Sequence, residues 1–256
     1  MNYTTEELMI VAASKQLDDE EVVFVGTGLP MLACLVAKAT HAPNLFMLFE
    51  SGIIDPKPSH LAKGVGDFRL LKGATKRTSL NYVLTLLQGG YIDVGFLGAA
   101  EVDQYGNINS TFIGGNYTAP KLRLPGSGGA NDIASNAKRT LVIMPHQKRK
   151  FKRNLSYLTT PGFLTGGDSR AQAGLIGGGP SRVITDKAIL DFEPISKKMR
   201  LLAVHPGVTT EEVQELTEFE LLISDDISVT TEPTEEELSI IRELDKEGIY
   251  VNKNLA

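Results

Sequence analysis

The chain has a single cysteine, Cys34, among its 256 residues, so no intrachain disulfide can form. A reducing compartment fits that usage. Cys34 lies in the apolar run Leu32-Ala33-Cys34-Leu35-Val36 and reads as a buried structural thiol. No apolar run approaches membrane-spanning length, so no membrane partner is expected. The opening residues, Met1-Asn2-Tyr3-Thr4-Thr5-Glu6-Glu7, are polar and acidic, unlike a signal or transit peptide. The chain therefore reads as cytoplasmic. Positive charge is not in excess either. The 26 Lys and Arg stand against 31 Asp and Glu, a net charge of −5, and no nucleic-acid partner is expected.

Familiar chemical motifs are missing as well. Gly26-Thr27-Gly28 starts like a dinucleotide fingerprint, but Met31 occupies the place of its third glycine. There is no P-loop and no G-x-S-x-G elbow. The four histidines, His41, His60, His146 and His205, lack metal-ligand spacing, and no metal is expected. There is no internal repeat and no linker, so residues 1–256 read as one domain.

What is present is an alternation of strands and helices. Thr4 to Glu7 has the spacing of a capping box, opening a helix to about Leu17. Glu21–Val25 and Leu45–Phe49 read as short buried strands, with a helix over Met31–Ala39 between them. Leu80–Leu87 reads as a helix, and Val94–Leu97 and Thr140–Met144 as strands. Thr160 to Arg182 is glycine-rich and weakly periodic, a long ordered loop or a flap. Val183–Phe192 and Arg200–Val204 read as strands that could pair as a hairpin. Thr209 to Glu212 and Thr234 to Glu237 repeat the capping-box spacing, each opening a helix. The pattern predicts an α/β fold: an open, mostly parallel sheet with helices on both faces. In such sheets ligands sit beyond the carboxyl ends of strands. That rule points to loops 26–30, 50–55 and 126–132.

Three features in the chain could carry chemistry. Glu50 directly follows an apolar strand, where its side chain is held in place; a solvated or capping glutamate is the other reading. Ser51 is small, and Gly52 permits close approach. In Gly126-Ser127-Gly128-Gly129-Ala130-Asn131-Asp132, three glycines in four residues can turn backbone N–H groups toward an anion or oxyanion. A mobile turn fits those glycines equally. Lys148-Arg149-Lys150-Phe151-Lys152-Arg153 is the one basic cluster, either a solvated face or a site for the phosphates of a cofactor such as coenzyme A.

Taken in order, these segments resemble the β subunits of family I coenzyme A transferases. Val23-Phe24-Val25-Gly26-Thr27-Gly28-Leu29-Pro30 resembles their V-x-x-G-x-G-x-P start. Glu50-Ser51-Gly52 resembles their nucleophile motif in its glutaconate form, whereas the 3-oxoacid branch has Glu-Asn-Gly. Asp103 to Asn109 is similar to their D-x-x-G-N-x-N segment, and Gly126 to Asp132 to their G-x-G-G-A-x-D loop. The likeness runs over about residues 3 to 210 and includes Pro145 to Arg149, Thr160-Pro161-Gly162 and Thr185-Asp186-Lys187.

The resemblance implies a glutaconate-like transferase, with a coenzyme A thioester as substrate and no tightly bound cofactor. It implies Glu50 as the nucleophile, carrying a glutamyl-CoA thioester. Gly128, Gly129 and Ala130 would form the oxyanion loop. Gly26, Gly28, Ser51, Gly52 and Asn107 would lie near the substrate, with Lys148 and Arg149 near the CoA phosphates. It also implies an α-type partner in a hetero-oligomer. A ring-cleaving or decarboxylating relative of the same fold, or a non-catalytic subunit that binds CoA thioesters, is the alternative.

Overall fold

The computed structural model describes residues 2–251. They form two compact units, one of residues up to Phe96 together with those from Thr231 on, the other of Leu97–Thr230.

The first unit opens with helix α1 (Thr5–Ser14), capped as its sequence dictates. The Thr4 hydroxyl accepts the Glu7 N–H, and the Glu7 carboxylate accepts the Thr4 N–H. The helix stops at Ser14, short of Leu17. Strand β1 (Val22–Phe24), helix α2 (Leu29–Ala39) and strand β2 (Phe46–Leu48) form a parallel crossover. Strands β3 (Ile53–Ile54) and β4 (Lys76–Arg77) extend the sheet antiparallel beyond β2. Helix α3 (Leu80–Gln88) leads to β5 (Val94–Leu97), parallel to β1 on its other side. Helices α1, α2 and the C-terminal helix Glu235–Leu244 pack on one another. That last helix has a complete capping box at Thr234 and Glu237. Its Arg242 donates to the Glu7 carboxylate of α1 at 2.7 Å. Cys34 is fully buried within α2, and that burial pushes its thiol pKa up.

The second unit begins with two small hairpins: β6 (Glu101–Val102) with β7 (Ile108–Asn109), and β8 (Phe112–Gly115) with β9 (Pro120–Arg123). Helix α4 (Ala130–Asn136) follows the glycine loop and leads into β10 (Arg139–Ile143). The 160–182 segment is ordered, with a short helix α5 (Ser169–Gln172), and enters β11 (Pro180–Ile184), which lies parallel to β10. Strands β12 (Ala188–Phe192) and β13 (Met199–Val204) continue antiparallel. Helix α6 (Thr210–Glu215) is capped by Thr209, and β14 (Leu222–Val229) lies parallel to β13.

The α/β class and the open sheet therefore stand, its parallel crossovers flanked by antiparallel strands. One expected element divides. Val183–Phe192 is two strands, because the Thr185 hydroxyl accepts the N–H groups of Lys187 and Ala188 and closes a turn. The hairpin with Met199–Val204 is made by the second of them. Among the described residues no helix is long and apolar enough to cross a membrane.

Candidate active site

In the first unit, β1 and β2 lie side by side with Phe24 opposite Leu48. The loop holding Gly26 and Gly28 and the turn holding Glu50, Ser51 and Gly52 thus leave the same end of adjacent parallel strands. That is the carboxyl edge, where α/β sheets present ligand sites. The turn is tight. The Gly52 N–H donates to Phe49 O at 2.9 Å, and the chain returns at once as β3. Gly52 has φ 89°, and a Cβ there would stand 2.2 Å from Thr78 O. Only glycine fits. Glu50 is half-buried at this turn, and among the described residues its carboxylate has no hydrogen bond or ion pair. Among the described residues the buried hydroxyl of the neighbouring Ser51 also has no hydrogen-bond partner. Gly28, with φ 92°, ends the other loop and begins α2 without any side-chain cap. Tyr250, which sequence reasoning missed, lies against this loop and donates its hydroxyl to Ala62 O.

In the second unit, the Asp103-x-x-Gly-Asn-x-Asn segment is a buried polar brace. Asn107 donates its Nδ2 to Asp103 at 2.8 Å and to Leu164 O at 2.7 Å. Its Oδ1 accepts the N–H groups of Gly162 and Leu164 at 2.8 and 3.0 Å. All the bonding capacity of this amide is used by protein, so Asn107 shapes the loop around it. Asp103 accepts the N–H groups of Tyr105 and Asn107, although burial pushes its carboxyl pKa up. Asn109 continues the brace by donating to Glu101 at 2.7 Å. Ser110 then ties the brace to the glycine loop. It exchanges two hydrogen bonds with Gly126, both at 2.9 Å.

Within that loop Gly126 and Gly128 have φ 95° and 49°. The Ala130 N–H donates to Ser127 O at 2.9 Å, and the Asn131 N–H to the Ser127 hydroxyl at 3.3 Å. Among the described residues the N–H groups of Gly128 and Gly129 make no hydrogen bond. Among the described residues the loop's free donors therefore include the neighbouring N–H groups of Gly128 and Gly129, as well as that of Ser127, with Ala130 committed to the turn. The Lys148 to Arg153 run is not one continuous patch. Lys152 pairs with Glu218, and Phe151 is buried and stacks on His146 at 3.8 Å. Lys148 and Arg149 are exposed, and Arg149 donates to Gln147 at 2.9 Å. No hydrogen bond joins either to the glycine loop among the described residues.

A second residue missed in the sequence is Arg170, only 5% exposed. It donates to carbonyl oxygens of α4 and of the 161–177 segment. Nothing in Asp168-Ser169-Arg170-Ala171 distinguishes it from a solvated arginine.

One unit thus holds an unpaired carboxylate at a fixed strand-end turn, and the other holds neighbouring glycine N–H groups without hydrogen bonds among the described residues. Comparison with known proteins supplies the family. Residues 6–216 match the coenzyme A transferase family model. The chain is 43% identical to the B subunit of 3-oxoadipate CoA-transferase from Pseudomonas knackmussii, over 95% of this chain and 94% of that one. It is 38% identical to the B subunit of glutaconate CoA-transferase from Acidaminococcus fermentans, over 94% and 92%. The crystal structure of the Acidaminococcus fermentans glutaconate coenzyme A-transferase superposes with a TM-score of 0.92 at 36% identity, over 98% of each chain. This chain belongs to the coenzyme A transferase family.

Proposed function

We propose that this chain is the β-type subunit of a transferase that moves coenzyme A between an acyl-CoA and a short dicarboxylic acid. The reading rests on the uncommitted carboxylate of Glu50. The dicarboxylic class comes from the relatives, since 3-oxoadipate and glutaconate are both dicarboxylates.

In this reading ionised Glu50 attacks the thioester carbonyl. The carbon–sulfur bond breaks, CoA leaves as thiolate, and a mixed anhydride remains. The thiolate then attacks the Glu50 carbonyl, releasing the donor acid and leaving a glutamyl-CoA thioester. The acceptor carboxylate runs the same two exchanges in reverse. Splitting one difficult exchange into easier ones is the gain of covalent catalysis. The Gly128 and Gly129 N–H groups supply the oxyanion donors, and the unpartnered Ser51 hydroxyl is available to the substrate acid. Lys148 and Arg149 attract the CoA phosphates. An α-type partner completes the acid pocket. The two relatives are each named as one subunit of their enzyme, which implies a partner for those proteins.

The test is covalent capture. The αβ complex incubated with acyl-CoA and no acceptor should carry CoA on residue 50, in a form that borohydride reduces. Glu50→Gln should remove both the adduct and nearly all exchange, because an amide is a poor nucleophile. Exchange at close to the wild-type rate in Glu50→Gln would sink the mechanism. Consumption of acyl-CoA without adduct or acceptor would instead favour hydrolysis or lysis.

A further inference from the structure

Tyr250 joins three separate stretches of the first unit, and its own backbone is fixed first. Asp245, buried where the helix Glu235–Leu244 ends, accepts the N–H groups of Ile249, Tyr250 and Val251 at 2.7, 2.9 and 2.8 Å. One carboxylate thus closes the turn that follows the helix. Val251 is buried next to it.

The phenol then uses both of its hydrogen-bonding roles. It donates to Ala62 O, 188 residues away, and it accepts from the Thr27 side chain. Its ring edge, at Cε1, lies 3.9 Å from where a Gly28 Cβ would stand. The stretch at Ala62 is itself braced. Arg69 donates to Leu61 O at 3.0 Å, and Asp67 accepts the N–H groups of Lys63 and Arg69 at 3.0 and 2.9 Å. Leu61 and Ala62 are buried. The Gly26-Thr27-Gly28 loop has no such bracing of its own. The last ladder bond before it runs from the Val25 N–H to Leu48 O at 2.9 Å. Among the described residues the N–H groups of Gly26, Thr27 and Gly28 make no hydrogen bond. Nothing lies within 4 Å of a Cβ added at Gly26, and α2 begins at Gly28 without a side-chain cap. The loop therefore leaves the sheet beside the Glu50 turn with the phenol as its tie.

We propose that Tyr250 is a positioning residue for acyl transfer at Glu50. Through the Thr27 hydroxyl it holds the Gly26-Thr27-Gly28 loop to the braced stretch at Ala62, and the loop fixes the reacting end of the substrate beside Glu50. The proposal rests on the transferase reading above. Tyr250 touches no reacting atom and acts through Thr27. Tyrosine suits the task, because one rigid side chain packs its ring on Gly28 and presents a donor and an acceptor at a single oxygen. A loop next to a nucleophile must keep one geometry, since small displacements of reacting groups cost large factors in rate.

The experiment is a double-mutant cycle measured in the αβ complex. Tyr250→Phe keeps the ring against Gly28 and removes both hydrogen bonds. It should lower kcat for exchange on the order of tenfold, a part of what full misplacement costs, and leave the KM for acyl-CoA nearly unchanged. Thr27→Val should do the same. The double variant should lose little more than either single one, because both act through one hydrogen bond. Thr27→Ser, which keeps the hydroxyl, should keep most of the rate. A merely structural tyrosine would lower Tm and leave the kcat of the folded complex alone. Unchanged kcat in Tyr250→Phe, or losses that multiply in the double variant, overturns the assignment while exchange itself continues. Should Tyr250→Phe fail to fold, equal rates in Thr27→Val and Thr27→Ser overturn it. Absence of exchange in the wild-type complex would instead overturn the function reading, and this proposal with it.

Discussion

A carboxylate becomes a usable nucleophile when it is fixed in place and not already paired. At Glu50 the first condition comes from the turn. Phe49 N–H donates to Ile53 O and Gly52 N–H to Phe49 O, both at 2.9 Å, so the backbone on each side of Glu50 and Ser51 is pinned. Gly52 makes that turn possible, since a Cβ would stand 2.2 Å from Thr78 O. Gly52→Ala should therefore cost about 2 kcal/mol or more, from strain at positive φ together with displacement of Thr78. Urea unfolding measures that loss. Exchange by the folded variant should fall too, because misplacing a nucleophile by ~1 Å costs roughly 100-fold. Equal stability and equal rates in Gly52→Ala would show that the turn tolerates a side chain and does not hold Glu50.

The glycine loop and α4 act as one element. Ala130 and Asn131 N–H groups are turned back onto Ser127, which leaves the neighbouring Gly128 and Gly129 donors free. Gly128 sits at φ 49° with nothing within 4 Å of an added Cβ, so a substitution there acts on the backbone alone. Gly128→Val should rotate the free N–H groups, because a β-branched residue avoids that region. Loss of one oxyanion donor costs roughly 100- to 1,000-fold in rate. Acyl-transfer kinetics should show that loss with Tm little changed. Near-normal turnover in the folded variant would make the loop a structural turn. Capping works at the same scale. Thr4 and Thr234 begin their helices where the sequence spacing puts them, because the cap needs only residues three apart.

For the whole molecule, pH should act on the second unit through two buried histidines. His146 stacks on Phe151 and meets the hydroxyls of Thr185 and Thr217 at 3.3 and 2.9 Å. Burial lowers its pKa from 6.5 to about 3. His205 is shifted in the same direction, again by burial. In the unfolded chain each takes a proton near pH 6.5, while the folded His146 stays neutral until about pH 3. The stability these neutral rings contribute is full above pH 6.5 and declines as pH falls, at a limiting slope of ~1.4 kcal/mol per unit for one proton. Between pH 7 and 5 His146 should account for about 2 kcal/mol of lost stability. His146→Gln, less stable at pH 7, should lose that much less over the same interval. Parallel pH profiles for variant and wild type would refute the assignment. Activity is the other property of the whole assembly. The purified chain should be inactive by itself and gain exchange activity on mixing with an α-type partner; full activity from the single chain would show that no partner is needed.

The sequence by itself determined the main strands and helices of the first unit and the caps at Thr4, Thr209 and Thr234, but not the small hairpins of the second unit or the division of Val183–Phe192. It also determined the α/β class, the buried thiol of Cys34 and the Glu50-Ser51-Gly52 turn at a strand end. These follow from rules that act over a few residues: side-chain period, capping geometry and the φ that glycine alone tolerates. Tertiary structure decided which polar groups remain free. Asn107 stands in a conspicuous motif, yet Gly162 and Leu164, 55 and 57 residues away, absorb its amide oxygen. Arg170 stands in no motif, yet it donates to a carbonyl 36 residues earlier. The neutral, buried ring of His146 depends on Thr217, 71 residues on. A hydrogen-bonding group is available to a substrate only where the protein has not already satisfied it. Which groups are satisfied is fixed by neighbours that the fold brings from far along the chain.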